Sequence, residues 1–277
     1  MARLFAFLAN RPDLGAKVLE AEASTINPSP TAGAGPMGWG VGFYQGGEVL
    51  LRRRPVDDRP TLPLAGTLAD LRTTTLLGHV RLATVGALST ENTHPFRYRQ
   101  WLFAHTGKLH AFSALRDRLA ESIPQFLRRN VRGDTDSELI FHLFLSFLHD
   151  AGGLDRAVIT PADTHGALRS VCALLDRLSA EEGGPPFAGN IALTDGEAIV
   201  ALHAGAPMAY RVYEGRRDFG NILGDEWLRR VRSTDLENTR LQLMVADYEG
   251  SPSGFTRVPG RSILTLTRAA EPTLEAL

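Results

Sequence analysis

Short apolar runs in this chain alternate with polar and glycine-rich breaks at the spacing of β-strands. Residues 3–9 are mainly apolar, which predicts a buried first strand. Residues 41–44 and 48–54 predict a hairpin, because Gly46 and Gly47 between them suit a tight turn. Further strands are predicted at residues 76–82, 101–105, 188–194, 198–203, 208–212, 241–246 and 262–267. The pattern is therefore that of a protein with many short strands.

Two longer segments carry apolar residues at helical spacing instead. Residues 135–149 predict one helix and residues 164–180 predict a second. Residues 83–96 are rich in Gly, Ser, Thr, Asn and Pro and predict a loop. Because no internal repeat and no long linker is visible, we expect one domain over residues 1–277.

Composition is typical of an ordinary globular protein. Hydrophobic residues make up 43% and charged residues 22% of the chain, and the formal net charge is −1. This balance does not favour nucleic acid or an anionic membrane surface as a partner. No apolar run approaches the roughly 18 residues of a membrane span, and no secretory signal is visible. We therefore expect a cytoplasmic protein with neither a nucleic-acid nor a membrane partner.

Five short motifs follow one another in the first half of the chain. They are GWGVGFY (38–44), HVRLAT (79–84), ENTHPF (91–96), AHTG (104–107) and GDTDSE (133–138). Each is weak alone, but as an ordered set they resemble the class II glutamine amidotransferases, which are N-terminal-nucleophile hydrolases. The resemblance implies an α+β fold, a four-layer αββα sandwich of two antiparallel sheets. It implies a pocket for glutamine but does not by itself establish activity.

The resemblance makes position 2 informative. In the family, the second residue is a cysteine whose thiolate attacks the side-chain amide of glutamine, with its own α-amine as the base. This chain has Ala2, which carries only a methyl group, so that covalent chemistry is impossible.

A second departure concerns the oxyanion hole. The family's HNG triplet supplies it from the asparagine amide and the glycine backbone N–H, whereas this chain reads His105-Thr106-Gly107. The hydroxyl of Thr106 is shorter than an asparagine amide, and we do not expect it to reach the same point. Loss of one such donor costs about 100- to 1,000-fold in rate. The catalytic positions implied by the resemblance are therefore Ala2 and Thr106, both substituted, and Gly107.

The residues implied to hold an amino acid are retained. By resemblance, Arg81 binds the α-carboxylate of glutamine, Thr84 helps to hold that carboxylate, and Asp136 pairs with the ammonium. A planar guanidinium matches a carboxylate with two parallel hydrogen bonds. The alternative is that Arg81 and Asp136 form an internal ion pair or a helix-cap feature. The matched motifs favour ligand contact.

These observations favour a catalytically degenerate protein with a regulatory or scaffold role, a protein partner, and a bound glutamine or γ-glutamyl ligand. Two substitutions that affect one chemical step fit relaxed selection on catalysis. The alternative is an active glutamine or γ-glutamyl amidohydrolase whose nucleophilic cysteine was replaced by Ala2. A third hypothesis, a different enzyme that recruits Thr106, lacks an evident base. We expect no cofactor, and no metal, because His79, His94, His105 and His110 lack the spacing of a metal-binding helix pair.

Overall fold

A computed structural model describes residues 2–27, 37–59, 62, 64–82, 87–156, 160–224 and 236–277. The strands are β1 (Arg3–Ala9), β2 (Met37–Gln45), β3 (Glu48–Asp57), β4 (Thr75–Leu82), β5 (Phe96–Tyr98), β6 (Trp101–Gly107), β7 (Gly189–Thr194), β8 (Ala198–His203), β9 (Met208–Glu214), β10 (Arg240–Ala246), β11 (Thr256–Arg257), β12 (Ser262–Thr267) and β13 (Thr273–Ala276). The helices are α1 (Gly15–Ala21), α2 (Ala23–Ile26), α3 (Leu64–Leu68), α4 (Phe112–Glu121), α5 (Gln125–Arg128), α6 (Asp136–Asp150), α7 (Pro161–Glu181) and α8 (Gly215–Ile222).

Two antiparallel sheets organise the described part of the chain. The first has the strand order β11-β9-β10-β1-β4-β2-β3, and the second has the order β13-β12-β8-β7-β6-β5. The first strand, β1, is central in its sheet, with β10 on one side and β4 on the other. In this register Leu4 lies opposite Ala246, and Arg3 lies opposite Val80. Consequently β1, β4 and β10 bring residues that are far apart in sequence to one end of the sheet.

Alternation along β1 explains why the whole strand is buried. Leu4, Ala6 and Leu8 face the second sheet, where they join an apolar core between the two sheets. Phe5 and Phe7 point to the opposite face and pack in a second core with residues of α1, α3 and α8. Since successive side chains of a strand point to opposite faces, a strand covered on both sides must be apolar throughout. The predicted buried strand at residues 3–9 is confirmed.

The second sheet is covered in the same way. Leu102 and Ala104 of β6 face the first sheet, whereas Phe103 points to the helices, where its ring stacks on Phe141 of α6 with centroids 5.0 Å apart. Helix α7 packs beside α6 on this outer face. The order of layers is helices, sheet, sheet, helices. The expected αββα sandwich is confirmed, while the single domain over residues 1–277 stays a prediction.

The two predicted helices begin at capping residues. The hydroxyl of Thr135 accepts a hydrogen bond from the backbone N–H of Glu138 at the start of α6. At the start of α7, Thr160 and Asp163 form a capping box with Pro161 in the first turn. The predicted start at residue 164 is therefore three residues late, because the hydrophobic pattern does not register these polar capping positions.

The structure adds elements that the hydrophobic pattern does not predict. Helix α4 buries Leu115 and Leu119 against the second sheet's helical layer, and the short α1, α2, α3, α5 and α8 also escape prediction. Of the loop predicted at residues 83–96, residues 83–86 lie outside the described residues. Strand β5 begins at Phe96, so the predicted loop ends one residue too late. Among the described residues, none of the helices combines the length and apolar character that crossing a bilayer requires.

Candidate functional site

Ala2 directly precedes β1 and lies beside Arg81 of the neighbouring strand β4. Arg3 pairs with Val80 across β1 and β4, so the next position on each strand places Ala2 opposite Arg81. On the other side of β4, Arg81 pairs with Gly38 of β2. The nucleophile position and the implied carboxylate-binding arginine therefore share one end of the first sheet.

Thr106 lies in the second sheet, and its hydroxyl donates a hydrogen bond to a carboxylate. It pairs with Asn190 of β7, is 4% exposed, and its hydroxyl donates a hydrogen bond to Oδ2 of Asp247. Asn190 approaches the same oxygen with its side-chain amide at 3.5 Å. Burial raises the pKa of Asp247, and the hydrogen bonds from Thr106 and Asn190 oppose that rise. The single proton of the Thr106 hydroxyl thus points at Asp247.

Asp247 is fixed at this place by its backbone. It follows β10 with a positive φ of 61°, and its carbonyl oxygen accepts a hydrogen bond from Nη1 of Arg3. The guanidinium of Arg3 also reaches the carbonyl oxygen of Asn27 at 3.3 Å and is almost fully buried. Arg3, next to Ala2, therefore ties the end of β1 to the Asp247 backbone.

Asp247 and Asn190 are site residues that sequence reasoning missed. The only signal for Asp247 is the segment ADYEG (246–250), which places a carboxylate directly after a predicted strand. Asn190 stands inside an apolar strand, where it donates to the carbonyl of Ala206 at 2.8 Å and accepts from the N–H of Gly205 at 3.1 Å. A polar residue in an otherwise apolar strand is the signal that could have indicated it.

Gly107 needs to be glycine for a backbone reason. Its φ is 123°, which L side chains rarely adopt, and a Cβ there would lie 2.7 Å from the carbonyl oxygen of Ala188. The backbone therefore requires glycine at this position, while the catalytic role implied for Gly107 stays a prediction.

Asp136 stands in the first turn of α6 with both carboxylate oxygens engaged. Oδ2 accepts from the backbone N–H of Leu109 at 2.9 Å, and Oδ1 accepts from the backbone N–H of Ser137 at 2.8 Å. The Ser137 hydroxyl lies 2.9 Å from Nδ1 of His105, which connects Asp136 to β6. A carboxylate at a helix N-terminus is stabilised by the helix dipole. The residue that caps α6 is Thr135 rather than Asp136, and the ligand role of Asp136 stays a prediction.

Arg81 is buried among backbone and acidic groups. It is 5% exposed, and its Nη1 donates to the carbonyl oxygen of Ala87 at 3.1 Å. Asn92 donates to the same carbonyl at 3.0 Å and to Asp134 at 2.5 Å. Burial lowers the pKa of Arg81, and the charge of Asp134 acts in the opposite direction. Thr84, the third implied ligand contact, lies outside the described residues.

Buried imidazoles lie behind Arg81. The rings of His79 and His94 are 4.4 Å apart, and burial lowers the pKa of His79 to about 3 and that of His94 well below its usual value. Burial also lowers the pKa of His105. All three are therefore neutral near pH 7. Across the described ranges, no group of three or more His, Cys, Asp or Glu side chains is arranged to hold a metal ion.

Comparison with known proteins identifies the family. The model of the glutamine amidotransferases class-II matches residues 18–215. The chain belongs to this family. The match begins after Ala2, so the correspondence of Ala2 to the nucleophile rests on the motifs and on its place at the end of β1.

Several relatives support the assignment. The "Probable glutamine amidotransferase DUG3" of Saccharomyces cerevisiae is 30% identical over 247 residues, which are 83% of this chain and 69% of that protein. YafJ of Escherichia coli strain K12 is 29% identical over 179 residues, which are 61% of this chain and 62% of YafJ. The match thus spans less than two thirds of YafJ. A glutamine aminotransferase class-II domain protein from Silicibacter pomeroyi shares the fold, with a TM-score of 0.63, 22% identity, and coverage of 99% of this chain and 98% of that one.

Proposed function

We propose that this class II glutamine amidotransferase-like protein is catalytically degenerate and serves a regulatory or scaffold role. In this proposal it binds glutamine, glutamate or a γ-glutamyl compound without cleaving it, and it acts together with a protein partner in the cytoplasm. The observation that carries the proposal is the hydrogen bond from the Thr106 hydroxyl to Asp247, in a chain that has Ala2 at the nucleophile position.

Amide hydrolysis requires donors aimed at the oxyanion of the tetrahedral intermediate. The hydroxyl of Thr106 has one proton, and it is donated to Asp247. When Asp247 is ionised, its charge also disfavours a second negative charge nearby. Both effects oppose the oxyanion, and neither depends on Ala2.

Asp247 adds a second reason to regard the site as degenerate. Restoring a thiol at position 2 leaves the Thr106–Asp247 hydrogen bond and the half-buried carboxylate in place. If only the cysteine of an active enzyme had been replaced, we would expect neither this hydrogen bond nor this carboxylate at the oxyanion position. This supports degeneracy over the alternative, an active glutamine or γ-glutamyl amidohydrolase whose cysteine was replaced by Ala2.

The ligand part of the proposal rests on the retained charges. Arg81 lies beside Ala2 in the first sheet, and Asp136 is connected to Thr106 through Ser137 and His105. An amino acid zwitterion needs one cation for its carboxylate and one anion for its ammonium, and Arg81 and Asp136 are residues of those two charges. Asp136 can still accept a further hydrogen bond, because a carboxylate offers about four acceptor positions.

Thermal unfolding with added ligand tests the proposal. At ligand concentrations about 100 times the dissociation constant, binding stabilises the folded state by about 2.7 kcal/mol. We expect glutamine, glutamate or a γ-glutamyl amide to raise the melting temperature of the wild-type protein, without release of ammonia. Arg81→Lys keeps the charge but loses the bidentate fork, so it should abolish the rise.

The matched control is Arg129→Lys, an equivalent change at an exposed arginine outside the site. It should keep the wild-type response. If all three ligand types at millimolar concentration leave the melting temperature of the wild-type protein unchanged, the binding proposal is wrong. Ammonia release that requires Arg81 would contradict the proposed loss of catalysis.

A further inference from the structure

A cavity of about 520 Å³ opens where the free edges of the two sheets meet, and neither Ala2 nor Thr106 lines it. Its walls come from β3, β5, the chain before β5, the turn after α5, and the first turns of α6. Small-molecule sites in proteins commonly have volumes of about 300–1,000 Å³. The cavity is therefore large enough for a metabolite.

The three arginines at residues 52–54 point alternately to the two faces of β3, so one of them contributes to the wall of the cavity. Arg53 points into the cavity and donates to the carbonyl oxygen of Thr93 at 3.2 Å. Arg52 and Arg54 point the other way, where Arg52 donates to the carbonyl oxygen of Thr67 and Arg54 pairs with Asp57. Only the middle member of the run is thus available to the cavity.

Positive charge dominates the lining. Four arginines line the cavity, against the two glutamates Glu91 and Glu138. Arg99 is paired with Asp155, and Arg97 donates to backbone carbonyls. Arg132 forms no ion pair within 4.0 Å to any carboxylate of the described residues. Glu91 and Glu138 are close enough to act on the charges of Arg53 and Arg132. An anion in the cavity would nevertheless meet more guanidinium groups than carboxylates in its lining.

Hydrogen-bond acceptors occupy the opposite wall, on α6. Nδ1 of His142 lies 2.9 Å from the carbonyl oxygen of Glu138, so Nδ1 carries the proton. Burial lowers the pKa of His142, which keeps the ring neutral and leaves a lone pair on Nε2. This buried Nε2 has no hydrogen-bond partner, although His142 lines the cavity and is only 3% exposed.

The Glu138 carboxylate lies on the same wall. Its two oxygens accept from the backbone N–H groups of Arg132 at 3.0 Å and Gly133 at 2.6 Å. Each oxygen retains a further lone pair. Together with His142, Glu138 therefore presents acceptors that suit ligand hydroxyl groups, while Arg53 and Arg132 suit a phosphate.

We propose that this cavity binds a sugar phosphate, or a phosphorylated polyol of similar size, with the phosphate at Arg53 and Arg132 and a hydroxyl donating to Nε2 of His142. A phosphate dianion matches planar guanidinium groups bidentately. The proposal rests on the cavity alone and is independent of any ligand at Arg81.

Isothermal titration with ribose 5-phosphate at physiological salt tests the site. We expect ribose 5-phosphate to bind at least about tenfold more tightly than inorganic phosphate, a ratio that equals about 1.4 kcal/mol. Free ribose should show no binding, because it lacks the anion. Arg53→Gln and Arg132→Gln should each weaken ribose 5-phosphate by about tenfold or more.

The chain offers matched controls for both variants. Arg54→Gln removes the same charge from the outer face of β3, and Arg129→Gln removes it from an exposed neighbouring position. Both should bind ribose 5-phosphate like the wild type. Equal losses in the control variants, or no binding by the wild type, would overturn the proposal. Citrate binding as tightly as ribose 5-phosphate would also overturn it, since the cavity would then select only for charge.

Nitrogen-15 spectra of the histidine rings give a second readout that does not depend on a variant folding. In the free protein, His142 should show the tautomer protonated on Nδ1. Ribose 5-phosphate should move its Nε2 resonance, and inorganic phosphate should move it much less. An unchanged His142 resonance at saturating ribose 5-phosphate would contradict the assigned hydroxyl contact.

Discussion

Replacing Thr106 with valine removes one hydroxyl and leaves the shape of the side chain nearly unchanged. In the structure this hydroxyl donates to Asp247, which is half-buried. Among the described residues, Asp247 has one other side-chain donor, Asn190 at 3.5 Å. A hydrogen bond to an ionised group contributes about 1.5–3 kcal/mol to stability, whereas a neutral one contributes about 0.5–1.5 kcal/mol. Thr106→Val should therefore lower the free energy of unfolding by about 1.5–3 kcal/mol when Asp247 is ionised.

The cost should depend on pH in a defined direction. Burial raises the pKa of Asp247 above that of an unfolded aspartate. The folded state then holds the proton more tightly, so its stability falls as pH rises from about 3.9 through the folded-state pKa. The bond from Thr106 limits that fall. Removing the bond raises the pKa further, so the loss should be smaller at about pH 4.5 and complete at about pH 8.

Urea unfolding of wild type and variant at both pH values measures this difference. Thr93→Val is the matched control, because Thr93 is also buried and its hydroxyl donates to a neutral carbonyl, that of Ser89, at 2.7 Å. It should cost about 1 kcal/mol at either pH. If Thr106→Val lowers the free energy of unfolding by no more than Thr93→Val does, and by the same amount at both pH values, the prediction is refuted. Thr106 would then not donate to an ionised Asp247.

Two further predictions concern stability. Burial lowers the pKa of His79 to about 3, so the contribution of its neutral ring to stability should be complete above about pH 6.5 and decline as pH falls toward 3. Urea midpoints across that range should therefore fall less steeply for His79→Gln than for the wild type. Equal slopes would contradict a neutral buried ring. Gly40→Ala would place a Cβ 2.1 Å from the His94 carbonyl oxygen and should lower the free energy of unfolding by about 1–3 kcal/mol. The control Gly66→Ala places a Cβ with no atom within 4 Å and should not destabilise the protein. Similar effects of the two substitutions would contradict the close approach of β2 to His94.

Patterning predicts the strands and the two long helices because those elements bury a continuous apolar face. β1 is the clearest example, since both of its faces are covered. Short helices such as α1 and α3 give no comparable signal, because seven or five residues do not form a stable helix without packing. In the structure, Val18 and Leu68 hold them against the first sheet. Only tertiary contacts determine such elements.

In the candidate site, too, some features could be predicted from the sequence and others depend on tertiary contacts. The motifs indicate Ala2, Thr106 and Gly107, and strand register places Ala2 beside Arg81. No motif indicates that Thr106 would find Asp247, which is 141 residues away in sequence. That contact depends on the place where β10 ends and on the positive φ of Asp247. The ligand roles of Arg81, Thr84 and Asp136 stay predictions.

Glutamine hydrolysis by Ala2→Cys is the most direct test of degenerate catalysis. The variant should be prepared with residue 2 as its verified N-terminus, and ammonia release should be compared with that of the wild-type chain and of Ala2→Cys/Thr106→Asn/Asp247→Ser. Because the oxyanion donor costs about 100- to 1,000-fold by itself, we expect Ala2→Cys to stay near background and the triple variant to exceed it. Strong hydrolysis restored by Ala2→Cys alone would contradict the account and favour an active amidohydrolase that lacks only its cysteine.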